Sequence, residues 1–365
     1  QQIDGDFLKE WFLSNDGTRW RAEPSSGMRG GGFGAGTSSL NYLGDSSSSY
    51  EPYYTLKKAN KEDPWSDLVT TCKQLNNTTS SSYTDVASVL DIDKCLWFLA
   101  CENIFTDEDS YISKGGTDYY IYWEVETGRI VPFEYDGNSC LESRYASWSP
   151  FYHANSSTYP LLYKLLNVPE YRQRYLAHYR TILSERFNPE TMNDLIDDTA
   201  ARIDSYIQAD PKKMMTYSEY TSALSTLKNI VQSRYNYLMS NSEVNVTGLT
   251  VNDTTWAVEG TKWATPTSSQ TITVCTTIGE PGSVDSVIIH AATGVVGNFS
   301  TQPMYDDGAH GDGSAGDGIY GCIIKAQNSG SRIRFYIEAV ASDSAKTKTF
   351  DPAGAEHDVY TFRVQ

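Results

Sequence analysis

The spacing of apolar positions changes character several times along the chain. In "TDVASVLDIDKCLWFLACENIFTDEDS", Leu96, Leu99, Ala100 and Asn103 recur at helical spacing, with Cys95 and Trp97 flanking that face. The spacing predicts a helix at about 92–105, buried on most sides, with Asp91 or Asp93 capping its start. Residues 118–135 switch to strand character: "DYYIYWE" and "RIVPFEY" are rich in β-branched and aromatic residues, with "VETG" between them, and they predict a hairpin. Irregular chain runs from Asp136 to about residue 158. Four helical segments follow: "YPLLYKLLN", "PEYRQRYLAHYRTILSERF", "PETMNDLIDDTAARIDSYIQAD" and "TYSEYTSALSTLKNIVQSRYNYLMS". Pro169 and Pro189 stand at the first position of their helices, where a missing N–H costs nothing.

From about residue 248 the pattern becomes short alternating strands with Gly, Asn and Pro punctuation: "TWAVEG", "QTITVCTTI", "VDSVIIHAA", "GIYGCIIKA", "SRIRFYIEAVA" and "HDVYTFRV". The prediction is α+β overall, with a first domain at 1–245 and an antiparallel Ig-like β-sandwich at 246–365. Residues 24–50, rich in Gly and Ser, and 76–83, "NNTTSSSY", read as polar loops.

The 365 residues carry 46 acidic and 29 basic side chains, a net charge of -17. Such a surface repels a phosphate polyanion, so nucleic acid is excluded as a partner and any nucleotide needs a metal bridge. The same acidity also serves simply to keep an extracellular protein soluble. The 26 tyrosines suit half-buried strands and contact surfaces. No apolar run is long enough for a membrane span. The opening "QQIDGDFLKEW" has no signal-peptide character and reads as a mature or trimmed terminus.

The six cysteines, Cys72, Cys95, Cys101, Cys140, Cys275 and Cys322, form no CxxC pair, which argues against structural zinc. An even count fits disulfides in a secreted protein; free buried thiols are the alternative. Cys95 and Cys101 share the predicted helix, separated by ~9 Å along its axis. The first domain is then left with 72–95 and 101–140, or 72–101 and 95–140. Cys275 and Cys322 pair in the second domain. Glycosylation sequons at Asn76, Asn77, Asn155, Asn245, Asn252 and Asn298 are a mild excess over chance and hint at a secreted glycoprotein.

In "VPFEYDGNS" the second strand of the hairpin runs into Glu134, Asp136, Gly137 and Asn138. Asp136 either caps a turn or holds a cation. The order of elements is buried helix, acidic loop "TDEDSY", hairpin, then Asp-Gly. Protein kinases use this order, because phosphoryl transfer needs one carboxylate for the acceptor hydroxyl and another for the metal. Asp109 takes the first role and Asp136 the second, with Asn138 as a neutral ligand. Glu134 is expected to point outward. "LDIDKCLWFLACENIFTDEDSYI", "DYYIYWEVETGRIVPFEYDGNS" and "VPEYRQRYLAHYRTIL" resemble the spore coat protein H (CotH) kinase family over residues 3–240.

That resemblance implies an atypical kinase-like domain, secreted or surface-associated, using ATP with Mg or Mn. Asp109 matches the catalytic aspartate, and Asp136 the metal-binding one. Family members carry an N-terminal lobe with the nucleotide-binding lysine before the position where "IDGDFL" stands, so the 365 residues lack most of that lobe. Lys57 and Lys58 come too late in the chain to replace the lysine. Gly30, Gly32 and Ala35 give only a partial glycine motif, and Lys114 stands where an ordinary kinase catalytic loop has Asn. His153, His178, His290, His310 and His357 show no ligand spacing. Arg172, Arg174 and Arg180 read as a solvated helix face.

In "MYDDGAHGDGSAGDGIYG", Asp306, Asp307, Asp312 and Asp317 alternate with glycines, a pattern that lets oxygens converge on calcium. The first functional expectation is metal- and ATP-dependent phosphoryl transfer to extracellular proteins. The second is a non-catalytic structural or adhesive component of a coat, surface layer or filament, with copies of the chain as partners. Carbohydrate binding by the sandwich is a third, resting on fold analogy alone.

Overall fold

The computed structural model describes residues 2–23, 38–113, 116–296, 298–325 and 327–365; Gly30, Gly32, Ala35 and Lys114 lie outside them. The chain divides into two compact units, Gln1–Asn245 and Val246–Gln365.

The first unit contains α1 (Gly5–Trp11), β1 (Thr18–Ala22), β2 (Tyr54–Lys58), α2 (Ser66–Asn77), α3 (Ile92–Phe105), β3 (Tyr119–Glu124) and β4 (Arg129–Phe133), then α4 (Pro169–Glu185), α5 (Pro189–Ala209) and α6 (Tyr217–Met239). The stretch "YPLLYKLLN" forms only a short π-helical turn, Leu161–Leu165. The strands make one antiparallel sheet in the order β2-β1-β3-β4. Its inner face, with Trp20, Ala22, Tyr119, Ile121 and Ile130, is buried in the same core as α3. On the outer face Arg21, Tyr120 and Phe133 form one row, and Arg19 pairs with Tyr122 in the next. Helix α1 and the residue that follows it cover part of that face, through Phe7 on Phe133 at 5.6 Å and Phe12 on Tyr122 at 4.9 Å.

Helix α3 is buried along most of its length. Asp91 caps it by accepting from the Lys94 N–H at 3.2 Å. Asp93 sits inside it, 5% exposed, and a buried carboxylate needs a partner. His178 Nε2 and Arg174 Nη1 both lie 2.7 Å from Asp93 Oδ1, and Trp97 stacks on the His178 ring at 4.2 Å. Arg174 therefore turns into the fold, against the expected solvated face. Arg172 stays half-exposed and pairs with Glu243 at 2.7 Å. Helices α5 and α6 form an antiparallel arm. Only Met192, Ile196, Val231, Arg234 and Leu238 of the two helices are buried, so no residue from Asp197 to Ile230 is.

The second unit contains β5 (Val251–Val258), β6 (Thr261–Lys262), β7 (Thr271–Ile278), β8 (Val284–Thr293), β9 (Ser300–Met304), β10 (Ile319–Lys325), β11 (Arg332–Ala341), β12 (Lys348–Asp351) and β13 (Tyr360–Arg363). They build two antiparallel sheets, β10-β7-β5-β6 and β12-β11-β8-β9, with β13 also on β11. Alternate residues of both sheets share one core, Ile272 and Val274 with Val287, Ile289, Phe335 and Ile337.

All six cysteines are free thiols, against the expected disulfides. The reason is clearest in the second unit. Cys275 pairs across the ladder with Gly321, and Cys322 with Val274. That one-residue offset puts the two side chains on opposite faces of the sheet. Cys322 enters the core, while the Cys275 Sγ–H donates to the Gly311 carbonyl at 3.3 Å. In the first unit Cys72 and Cys95 are sealed in the core, and burial pushes both thiols up in pKa. Cys101 is on a different side of α3, exposed.

Candidate metal centre

Thr106 ends α3 in the left-handed conformation, φ 52°, and the Asp107 N–H donates back to the Glu102 carbonyl at 3.1 Å. This reversal folds Asp107 against the last turn of α3. The chain after β4 closes from the other side, where the Leu141 N–H donates to the Phe105 carbonyl at 2.9 Å. Glu102, Asp107 and Glu134 thereby meet: each offers an oxygen, and these oxygens lie within 4.8 Å of one another. Glu134 is exposed as a residue, yet its carboxylate turns to this cluster rather than outward, and its Oε1 accepts from the Tyr135 and Asp136 N–H groups at 2.8 and 3.0 Å.

The electrostatics of the cluster are unfavourable as it stands. Glu102 is 3% exposed, and neither it nor Asp107 pairs with a cationic side chain among the described residues; the Ser110 hydroxyl and the Glu134 carboxyl are the polar neighbours of Glu102. Burial first, and then the neighbouring Glu134, hold the Glu102 carboxyl well above the usual carboxylate range, with the Ser110 hydroxyl opposing the rise. Burial and Glu134 likewise push Asp107 up to about 7. Clustered, dehydrated carboxylates either keep protons or share a cation. An all-oxygen acidic set suits Mg, Mn or Ca over softer metals.

The expected catalytic residues stand at the rim. Asp109 is half-buried in the loop after α3, and its N–H donates to Asp107 Oδ1 at 3.0 Å. Asp136 is exposed and caps the turn Gly137–Ser139, accepting from the Asn138 N–H at 3.4 Å. Asn138 is exposed beside it, its Oδ1 accepting from the Ser139 hydroxyl. Asp118 links the two loops. Burial raises its carboxyl, Arg21 at 2.5 Å opposes the rise, and the nearby charges of Asp109 and Asp136 add to it. The structure thus brings Asp109 and Asp136 to one acidic rim, with Glu102 and Asp107 beneath. Glu102 and Asp107 were missed in the sequence; the available signal was a glutamate on a helix with almost no solvent-facing side. Arg234 of α6 braces the same helix end. It is fully buried and donates to the carbonyls of Asn103, Ile104, Ala146 and Trp148 and to Asn103 Oδ1.

The family model described as CotH kinase protein matches residues 1–238. The chain belongs to the CotH kinase family. In this CotH chain a second model, the conditioned medium factor second Ig-like domain, matches residues 232–342, so an Ig-like domain follows the CotH domain. No curated protein matches. A solved structure titled "Crystal structure of Br derivative BhCBM56" shares 11% identity over 30% of this chain and 91% of its own, with a TM-score of 0.20.

Other candidates of the CotH chain lie elsewhere. Lys57 pairs with Glu23 at 2.9 Å, and Lys58 Nζ donates to the Asn15 carbonyl. Asn76 donates its amide to the Leu40 and Cys72 carbonyls, whereas Asn77, Asn155, Asn245, Asn252 and Asn298 are exposed. The four loop aspartates of the second domain act as acceptors for their own backbone. Asp312 takes N–H bonds from Asp307, Gly308 and His310, and Asp306 takes them from Gly316, Asp317 and Gly318. Asp307 accepts from the Ala309 N–H, and Asp317 from those of Ser314 and Ile319. Among the described residues they are not part of a side-chain carboxylate group like that of Glu102, Asp107 and Glu134. Among the described residues no helix is long and apolar enough to cross a membrane.

Proposed function

We propose that the first domain is a metal-dependent phosphotransferase acting on hydroxyl groups of proteins at the cell surface, with ATP as donor. One observation carries the reading: Glu102 is buried facing the carboxylates of Asp107 and Glu134, with no cationic side chain paired to it among the described residues. A folded protein keeps such a group where a ligand repays its desolvation. Glu102, Asp107 and Glu134 would hold Mg or Mn, with Asp136 and Asn138 at the rim as further oxygen donors. When bound, the cation supplies charge neutralisation on the triphosphate. Asp109 orients the acceptor hydroxyl and takes its proton as the hydroxyl oxygen bonds to the γ-phosphorus and the bond to the ADP oxygen breaks. Its backbone tie to Asp107 fixes the base relative to the metal ligands. Membership of a family named for spore coat protein H supports a surface location.

Calorimetry with Mn²⁺, and then with Mn²⁺–ATP, tests this on the full chain beside Glu102→Gln and Asp136→Ala. Micromolar Mn²⁺ binding lost in Glu102→Gln, and ATP binding that requires Mn²⁺, are the expected results. A wild-type chain silent to both would turn the assignment toward a structural coat component.

A further inference from the structure

In the second domain, the outer face of the β10-β7-β5-β6 sheet carries a groove of about 840 Å³. Residues alternate along a strand, so Thr273, Cys275 and Thr277 of β7 face outward while Ile272 and Val274 enter the core. Thr255 and Ala257 of β5 stand opposite Cys275 and Thr273 and share that face. One wall is Lys262 of β6, the cross-strand partner of Ala257. The other is the aspartate-glycine loop at Gly311, Asp312 and Gly313. That loop lies directly on the sheet: a Cβ on Gly321 would meet the His310 carbonyl oxygen at 2.5 Å, and one on Gly311 would meet Thr273 Cγ2 at 2.5 Å. The Cys275 thiol on the Gly311 carbonyl at 3.3 Å and the N–H bonds to Asp312 fix it there. The wall is therefore pre-organised.

The lining decides what fits. Among the described residues the hydroxyls of Thr255, Thr273 and Thr277 make no hydrogen bond within the protein, and Asp253 and Lys262 form no ion pair. Burial and then Asp312 raise the Cys275 pKa, and Lys262 opposes them, so its ammonium leans toward the groove floor. A polyanion meets one cation here, set beside Asp253 and Asp312. A lipid meets a floor of hydroxyls. An extended peptide gains its main-chain bonds at a sheet edge, whereas β5 and β7 are interior strands whose backbone is already paired. A ligand for this face must carry its own donors and acceptors around an uncharged body. A carbohydrate does so: each ring hydroxyl donates and accepts, and it matches threonine hydroxyls, a carboxylate acceptor and an ammonium donor.

We propose that this groove binds a neutral carbohydrate chain, with Thr255 and Thr277 hydrogen-bonding ring hydroxyls and Asp253 and Lys262 supplying the charged contacts. The site is independent of the phosphotransfer reading. Its test is calorimetry of the full chain with cellohexaose, laminarihexaose, maltohexaose and chitohexaose. Two variants accompany it. Thr255→Val with Thr277→Val removes both hydroxyls and keeps strand propensity. Asp253→Asn removes a charge at a residue of φ 53°, a conformation asparagine adopts readily. At least one hexasaccharide should bind, and each variant should lose about tenfold in affinity with the melting of the second domain unchanged. Alkylation of Cys275 by iodoacetamide, read by peptide mass spectrometry, should slow with the sugar bound, while that of the exposed Cys101 should not. No heat from any of the four at millimolar concentration overturns the proposal. Binding that both variants leave unchanged, without protection of Cys275, puts the sugar elsewhere and overturns it equally.

Discussion

Arg234→Met tests whether the α3 terminus depends on a single buried cation. The wild-type guanidinium donates five hydrogen bonds, four to backbone carbonyls and one to Asn103 Oδ1. Among the described residues it forms no ion pair with a carboxylate; the charge is set against carbonyl dipoles at the end of α3, where the helix is negative. Burial lowers its pKa from the usual value, and nearby tyrosines oppose that shift. Methionine fills similar volume and cannot donate. The change removes a desolvation cost of several kcal/mol and strands up to four buried carbonyls at about 1–3 kcal/mol each. The Asn103 carbonyl has a second partner in the Thr106 N–H, so the net loss is put at about 3–5 kcal/mol. At about 2–4 °C per kcal/mol for a unit of this size, the first thermal transition should fall by about 6–20 °C. Differential scanning calorimetry resolves it from the second domain. A first transition within about 2 °C of wild type would show that the carbonyls re-satisfy themselves and that the brace is dispensable.

Four further outcomes follow from the same geometry. Glu102→Gln should stabilise the metal-free protein at pH 7 and abolish any rise in melting temperature with Mn²⁺. Because Glu102 is held above its ordinary range in the folded state, its contribution is favourable in acid and is lost as pH rises. Metal-free wild type should therefore gain resistance to urea between pH 7 and pH 5 relative to Glu102→Gln, and equal slopes for the two would refute it. Asp312 has the opposite sign: its backbone N–H bonds hold it below the usual range despite burial. The second domain should weaken as pH falls below about 4, and Asp312→Asn should lower its melting midpoint by several degrees at pH 7. In Gly17→Ala the new Cβ would lie 1.9 Å from the Trp123 carbonyl oxygen and 2.7 Å from the Tyr122 ring. A loss of about 1–3 kcal/mol in urea unfolding is expected, and an unchanged midpoint would mean that the β1 entry shifts freely.

Local periodicity carried much of the fold. The predicted helix at 92–105 is α3, the hairpin is β3 and β4, and the strand segments of the second domain are all strands. What periodicity does not encode is pairing across distance. Strands β1 and β2 are short, polar at alternate positions and separated by a long Gly- and Ser-rich stretch, so they were not foreseen; they exist because β3 gives β1 an edge to join. The same limit explains the cysteines, where one residue of register decides between bond and opposite faces. For the candidate site, the sequence pointed to the loops of Asp109 and Asp136, which adjoin the carboxylate cluster through the Asp109 N–H on Asp107 and the Asp136 N–H on Glu134. It missed Glu102 because a helical glutamate is ordinarily solvated, and only the packing of α3 shows that this one is not. In the aspartate-glycine loop the same spacing also serves the backbone: carboxylates spaced for a cation are equally spaced to accept their own N–H groups.

The α5–α6 arm carries a further consequence, in its dynamics. Its distal part is tied by the Thr216–Glu219 capping box, by Tyr217 to Asp204 at 2.7 Å and by Lys228 to Asp197 at 2.6 Å, with no buried side chain beneath. Such contacts give little opening free energy, so amide protons there should exchange through local fraying while α3 and the sheet stay closed. Protection should climb from the tip at 210–216 toward Val231 and Leu238. The tip is then the place where this protein tolerates a grafted peptide or an internal tag, since an insertion there lengthens a segment whose unfolding the rest of the molecule scarcely feels.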